Sequence, residues 1–258
     1  MTVLEALTKL QALRGRLLFN VNVIDNVIQY HAKHQWRDGV DAIRRMTEDQ
    51  AGHSEPVPYE LRSLLEYAVD AVDKQDKLTE SFPRLHRDNL ARVLSDNHPA
   101  WNTELQGIIS QLGTGSLFVL LGDRGRGKTQ LATGVARFIA ETKNLKSQYR
   151  VLGDLFTEIK GTFKSGSEES EDSILDIMSS APLLVLDECD EISGTDWQGQ
   201  ILTRLIDARY REKRSTILIT HDAEQAFIAK VGPSIADRLA ECGYFISFQW
   251  ESFRRAPK

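Results

Sequence analysis

The sequence predicts an α/β fold with a five-stranded parallel sheet flanked by helices, on three observations. From Ser116 onward, short apolar runs alternate with helix-forming segments, the order of a parallel sheet with covering helices. The runs are mostly apolar throughout rather than alternating, as strands become when helices bury both faces. The first run, Ser116–Leu121, passes directly into Gly122-Asp123-Arg124-Gly125-Arg126-Gly127-Lys128-Thr129, and a helix-forming segment, Gln130–Glu141, follows.

That octapeptide fits the pattern G-x-x-x-x-G-K-[ST] at every fixed position. The flanking strand and helix are the context it needs, because such a loop aims backbone N–H groups and a helix N-terminus at phosphate oxygens. Residues 122–130 are therefore candidates to bind a nucleotide, with Gln130 the first after the motif. Lys128 would reach the terminal phosphates, and the Thr129 hydroxyl would ligate Mg²⁺, which makes ATP with Mg²⁺ the expected ligand.

The further strands are expected at Gln148–Leu152, Leu183–Leu186, Thr216–Thr220 and Tyr244–Gln249, and a helix at Trp101–Leu112 just before the loop strand. Lys164–Ser173 is polar and reads as a surface loop. The strand at Leu183 ends in Asp187-Glu188, two acids where a nucleotide hydrolase needs them: Asp187 for the metal shell, Glu188 to polarise an attacking water. The next strand ends at His221-Asp222, placing a polar sensor residue between the acids and the terminal phosphate. Arg238, on an expected helix, and Arg254, near the end of the chain, are candidates for the third positive charge that phosphoryl transfer uses.

Upstream, Leu4, Leu7, Leu10, Leu13 and Leu17 recur at helical spacing, and Leu61, Leu64, Leu65, Ala68, Val69 and Val72 form a second amphipathic stripe. Residues 1–80 are read as a helical partner-binding domain, 81–98 as a linker interrupted by Pro83, and 99–258 as the ATPase domain. The chain has 258 residues, 27% of them charged, with a net charge of -5, so it is not a general polyanion binder. No apolar run approaches the ~20 residues that span a bilayer. No export signal is expected at the N-terminus, and Cys189 and Cys242 stand alone, in keeping with a reducing cytoplasm.

Together these residues resemble the AAA+ ATPases of the DnaC/DnaI and IstB clade, the helicase loaders and transposition helpers, over about residues 83–255. Ile159-Lys160-Gly-Thr-Phe163-Lys164 looks like the segment after the second strand. Ile206-Asp-Ala-Arg-Tyr210 looks like the helix before the sensor strand, and Gly232-Pro-Ser-Ile-Ala-Asp237-Arg238-Leu239 and Trp250-Glu-Ser-Phe253-Arg254 like the finger helix and closing motif. The resemblance implies an arginine finger at Arg238 acting in a neighbouring subunit, a sensor-II arginine at Arg254, and no C-terminal helical lid. It implies single-stranded DNA at Lys160, Phe163 and Trp197, where aromatic faces stack on bases. Trp197 also shares a helix face with Ile201, Leu205 and Ala208, so core packing is an equal reading. The implied function is an ATP-dependent loader that grips a replicative helicase through residues 1–80, self-associates on ATP, and releases the helicase on hydrolysis. The alternative is an IstB-like helper that binds duplex target DNA and stimulates a transposase. The sensor position, commonly asparagine in the family, is His221 or Asp222 here.

Overall fold

The structure is a computed structural model that describes residues 59–163, 170–192 and 195–253, together with positions 9, 12 and 13. Apart from Leu13, the leucine stripe of residues 1–50 lies outside the described residues, as does Arg254. Helix α1, Tyr59–Leu78, belongs to a compact unit separate from the one that carries the glycine loop.

In the loop-bearing unit the order is α2 (Arg84–Ser95), α3 (Pro99–Ser110), β1 (Leu117–Leu121), α4 (Lys128–Lys143), β2 (Gln148–Val151), α5 (Leu152–Gly161), α6 (Glu171–Ser180), β3 (Leu183–Asp187), a single 3₁₀ turn (Cys189–Glu191), α7 (Asp196–Arg211), β4 (Ser215–Ile219), α8 (Glu224–Cys242) and β5 (Gly243–Ser247). The expected strands are all present, shifted by a residue or two at their ends. Their sheet is entirely parallel, in the order β2-β3-β4-β1-β5.

Strands β1, β3 and β4 are buried at every residue, which is why their sequences show no alternation. Leu117, Val119 and Leu121 of β1, with Leu184, Leu186 and Leu218, form one face of the core together with residues of α5, α6, α7 and α8. The intervening Phe118, Leu120, Val185 and Ile217 are equally buried and point to the opposite face. There α4 packs on α2 and α3: a Cβ at Gly134 would lie 3.3 Å from Leu105 and 3.5 Å from Leu90.

Two expectations are corrected. Residues 81–98 contain helix α2, because Pro83 starts regular structure rather than stopping it. Its φ of -56° is already the helical value at the residue before Arg84, and Phe82 and Leu90 are buried. The polar stretch 164–173 is likewise not loop to its end. Ser170 and Ser173 form a reciprocal capping box that opens α6.

One buried cation ties the lower edge of the sheet together. Arg209, on α7, is fully buried and donates to the carbonyls of Met178 (2.7 Å), Ala181 (2.8 Å) and Ser215 and to the Thr216 hydroxyl (2.8 Å). It thus joins the end of α6 to the starts of β3 and β4. Burial, and then Arg214, push its pKa down. Arg209→Met should destabilise the fold by about 3 kcal/mol or more, since several buried acceptors lose their donor. Urea unfolding would measure it, and Arg209→Lys should recover only part of the loss because an ammonium cannot span the same acceptors.

Candidate nucleotide site

The strand order dictates where the site forms. β4 stands between β1 and β3, so the tip of β4 lies directly between the glycine loop and the two acids. The loop must bridge that gap, and it does so at the start of α4. There the Thr129 hydroxyl donates to Asp187 Oδ2 at 2.8 Å.

Asp187, 6% exposed, is held on both oxygens. Its Oδ2 also accepts from the Tyr149 hydroxyl at 2.8 Å, and its Oδ1 accepts from the Glu188 backbone N–H at 2.8 Å. Burial and then the Asp187 charge push the Tyr149 phenol well up, so it stays a donor. Tyr149 is a site residue that the sequence reading missed. Its only sequence signal was a hydroxyl-bearing aromatic in the strand that pairs with β3.

Glu188 sits in the left-handed region, φ 56° and ψ 43°, as the residue before the 3₁₀ turn. For a residue with a Cβ this conformation costs on the order of 1 kcal/mol. The turn directs the chain away from the strand at this point. Burial raises the Glu188 pKa, as do the Glu191, Asp187 and Asp190 charges, against a lowering from Arg124. A carboxylate made more basic is suited to take a proton from water.

Lys128 is 5% exposed and folds back on its own loop. Its ammonium donates to the Gly122 carbonyl and, at 3.0 Å, to that of Asp123, and lies 3.0 Å from His221 Nδ1. Burial lowers its pKa to about 8 against the pull of Asp187, Asp190 and Asp123. His221 Nδ1 is also 3.1 Å from the Gly122 carbonyl, so one ring nitrogen faces both a donor and an acceptor. It can accept from Lys128 or donate to Gly122, depending on tautomer.

Other candidates are placed differently. Asp222 turns away from the loop, with its carboxylate on Lys230 (2.7 Å) and near the Thr220 hydroxyl. Gln130 is committed to α2, with its amide oxygen 2.9 Å from His86 Nδ1 and its amide nitrogen donating to the His86 carbonyl at 2.8 Å. Its side chain is therefore engaged away from the loop. Arg126 donates to the Phe248 carbonyl at 2.7 Å and pairs with Asp123. Arg124 is exposed.

Arg238 is not brought to the loop of its own chain. It lies near the end of α8, which runs from the tip of β4 back to the start of β5; β5 pairs in parallel with β1, so this is the end of the strands away from the loop. It pairs with Asp207 at 2.6 Å and stacks 5.0 Å from the Tyr210 ring centre. By contrast, Lys160, Phe163 and Trp197 do converge. The Lys160 ammonium is 5.0 Å from the Trp197 ring centre, and Phe163 meets Trp197 edge-on at 6.2 Å. Trp197 is half-buried against the core and Phe156, whereas Phe163 is 63% exposed. Trp197 thus packs on the core with one part and lies beside Lys160 and Phe163 with another.

The donors at the metal position fit the expected ion. Thr129 and Asp187 offer one hydroxyl and one carboxylate. Among the described residues no group of three or more His, Cys, Asp or Glu could hold a metal alone. A sparse all-oxygen set suits Mg²⁺, which is bound through one or two protein oxygens and substrate phosphates. Among the described residues no helix is long and apolar enough to cross a membrane.

Comparisons with known proteins find relatives of this chain. The replicative helicase loader DnaC of Buchnera aphidicola subsp. Acyrthosiphon pisum is 28% identical over 143 residues, 55% of this chain and 57% of that protein. DnaC of Escherichia coli strain K12 is 25% identical over 138 residues, 53% and 56%. The chain thus spans little more than half the length of these curated relatives. Among solved structures, a candidate primosome component from Streptococcus pyogenes serotype M3 matches with a TM-score of 0.54 at 17% identity, covering 71% of this chain and 98% of that one. The replication initiator DnaA bound to AMPPCP and single-stranded DNA matches with a TM-score of 0.51 at 19% identity, covering 60% and 47%. At such identities the structural likeness speaks for the fold, which is that of the AAA+ P-loop proteins. The family model for IstB-like ATP binding proteins matches residues 105–258, more than half of the sequence, and the chain belongs to that family.

Proposed function

We propose that this protein is an ATPase that loads a replicative helicase, and that its active site is completed by Arg238 of a second copy. The observation that carries the ATPase reading is the Thr129–Asp187 contact, which brings Lys128 and Thr129 at the start of α4 to Asp187 and Glu188 at the end of β3. The loader reading rests on the likeness to DnaC proteins.

The chemistry follows from the residues. Loop amides and Lys128 hold the phosphates, with Lys128 exchanging the Gly122 and Asp123 carbonyls for phosphate oxygens. Thr129 and Asp187 would hold Mg²⁺, which when bound supplies positive charge to the phosphate oxygens. Tyr149 keeps the Asp187 carboxylate oriented. Glu188 orients a water and accepts its proton, and His221 stands at the sensor position beside Lys128. Arg238, remote from its own loop, supplies transition-state charge to a neighbour. Arg254 is proposed as a sensor-II arginine at the same nucleotide. Lys160, Phe163 and Trp197 form the proposed single-stranded DNA surface, and residues 1–80 the proposed helicase-binding region.

The IstB-like family match favours one second reading, a transposition helper acting on duplex target DNA. Phe163 separates the two. Stacking on an unpaired base is worth ~1–3 kcal/mol, so Phe163→Ala should weaken single-stranded DNA binding about tenfold or more, read by fluorescence anisotropy. A preference for duplex DNA, unaffected by that change, would support the helper instead. Recovery of a hexameric helicase with the full-length chain, lost when residues 1–80 are removed from an otherwise ATP-binding protein, tests the loader role itself.

The shared site has its own test. Glu188→Gln should bind ATP and slow hydrolysis by about 10²-fold or more, and Arg238→Ala should slow it by about 10³-fold. Mixing the two inactive variants should restore part of the activity, because some interfaces then pair an intact Glu188 with an intact Arg238. Full activity in Arg238→Ala alone would sink the shared-site model.

Lys128 gives a pH signature. With its pKa lowered to about 8 in the free protein, it is charged below that pH and neutral above it. Binding a polyanion favours the charged form, so above about pH 8 binding must take up a proton. Affinity for MgATP should be level near neutrality and then fall, approaching about tenfold per pH unit. Titration calorimetry would show this slope in the wild type, with the Lys128 contribution absent in Lys128→Met.

A further inference from the structure

We infer that Trp101 and Trp250 are positioning residues for the phosphate site: their indole N–H groups pin two carbonyls of the glycine loop and thereby aim the loop's amides at the phosphates. This deepens the nucleotide reading and rests on it.

Three consecutive loop carbonyls are held by groups from outside the loop. The Gly125 carbonyl accepts from the Phe253 backbone N–H at 2.9 Å and that of Arg126 from Trp250 Nε1 at 3.0 Å; that of Gly127 accepts from Trp101 Nε1 at 3.1 Å as well as from the Leu131 backbone N–H of α4 at 2.9 Å. In a trans peptide the C=O and the following N–H point in opposite directions, and no described peptide bond here is cis. Fixing these three carbonyls outward therefore turns the N–H groups of Arg126, Gly127 and Lys128 to the other side. Gly125 and Gly127 have φ values of +83° and +86°, whereas Arg126 between them is not in the positive region. Alternating handedness of this kind curls successive amides into an anion-binding concavity.

The braces are rigid in turn. Trp101 is fully buried on α3, and its backbone N–H donates to the ring of His98, the residue before that helix, at 3.2 Å. The His98 ring packs against Trp250 at 5.2 Å and edge-on to Phe253 at 5.3 Å, and Phe248 packs against Trp250 at 4.7 Å. A Cβ at Gly127 would come within 3.0 Å of Phe253 and 3.1 Å of Trp101 Nε1, so the brace itself demands glycine there. The start of α3 and the segment after β5 thus grip the loop from the side opposite its proposed ligand.

A buried indole N–H needs an acceptor in any case, so the test must separate donation from packing. Each tryptophan is replaced in turn by 3-benzothienylalanine, which keeps the ring shape and lacks the N–H, and by phenylalanine. Binding of MgATP, inorganic tripolyphosphate and adenosine is measured on the full chain, with the melting temperature. Loss of one orienting hydrogen bond should weaken MgATP and tripolyphosphate about fivefold or more. Adenosine binding and melting temperature should stay near wild type in the benzothienyl forms. Unchanged tripolyphosphate affinity, or an equal loss for adenosine, would overturn the inference. If the Trp101 replacement unfolds, the less buried Trp250 replacement decides alone. A wild-type protein that binds neither MgATP nor tripolyphosphate would instead remove the nucleotide reading, an outcome distinct from failure of the brace.

Discussion

The hydrogen bond from Thr129 to Asp187 links two strands that are not neighbours. Adjacent strands lie ~4.8 Å apart, so β1 and β3, with β4 between them, are separated by roughly twice that. The contact forms where the loop after β1 turns into α4 and the helix's second residue reaches the tip of β3. The rest of the site is arranged around that contact. Tyr149 and the Glu188 amide complete the hydrogen bonding of Asp187, and the tip of β4 delivers His221 beneath the loop.

The charges in this arrangement do not cancel pairwise. Among the described residues Lys128 has no carboxylate within salt-bridge distance; it rests on two carbonyls and an imidazole, with Asp187, Asp190 and Asp123 raising its pKa from farther away. On the other side, Glu188 is crowded by Glu191, Asp187 and Asp190. A buried ammonium on neutral acceptors and a carboxylate among like charges form a site poised for a charged ligand. A polyphosphate would supply the negative charge that Lys128 lacks, and a metal bound with it would supply the positive charge that the acids lack.

Arg209 and Arg238, 29 positions apart and both on helices flanking the sheet, have different surroundings. Arg209 is buried on carbonyl acceptors and fastens the edge of the sheet away from the loop. Arg238 pairs with Asp207 and lies over Tyr210 near the end of α8, partly accessible. Nothing in the local sequence separates the two; burial and the nature of the partner do.

The sequence by itself determined what is local. The glycine loop, the Asp187-Glu188 pair and the five strands were legible because each is a contiguous run whose periodicity or spacing has one dominant physical meaning. What it left open is what depends on residues far apart in the chain. Gln130 follows the loop motif immediately, yet it faces α2 because helix rotation carries it away from Thr129. Asp222 adjoins His221, yet it turns to Lys230 on α8. Pro83 reads as a breaker and instead opens a helix, since proline suits a helix start as well as a helix end. The tertiary structure alone brought Tyr149 to Asp187, and Trp101 and Trp250 to the back of the loop. Those contacts join β2 to β3 and both ends of the AAA+ fold to its centre, and long-range pairings of this kind are set by strand order and packing, which no short stretch of sequence encodes.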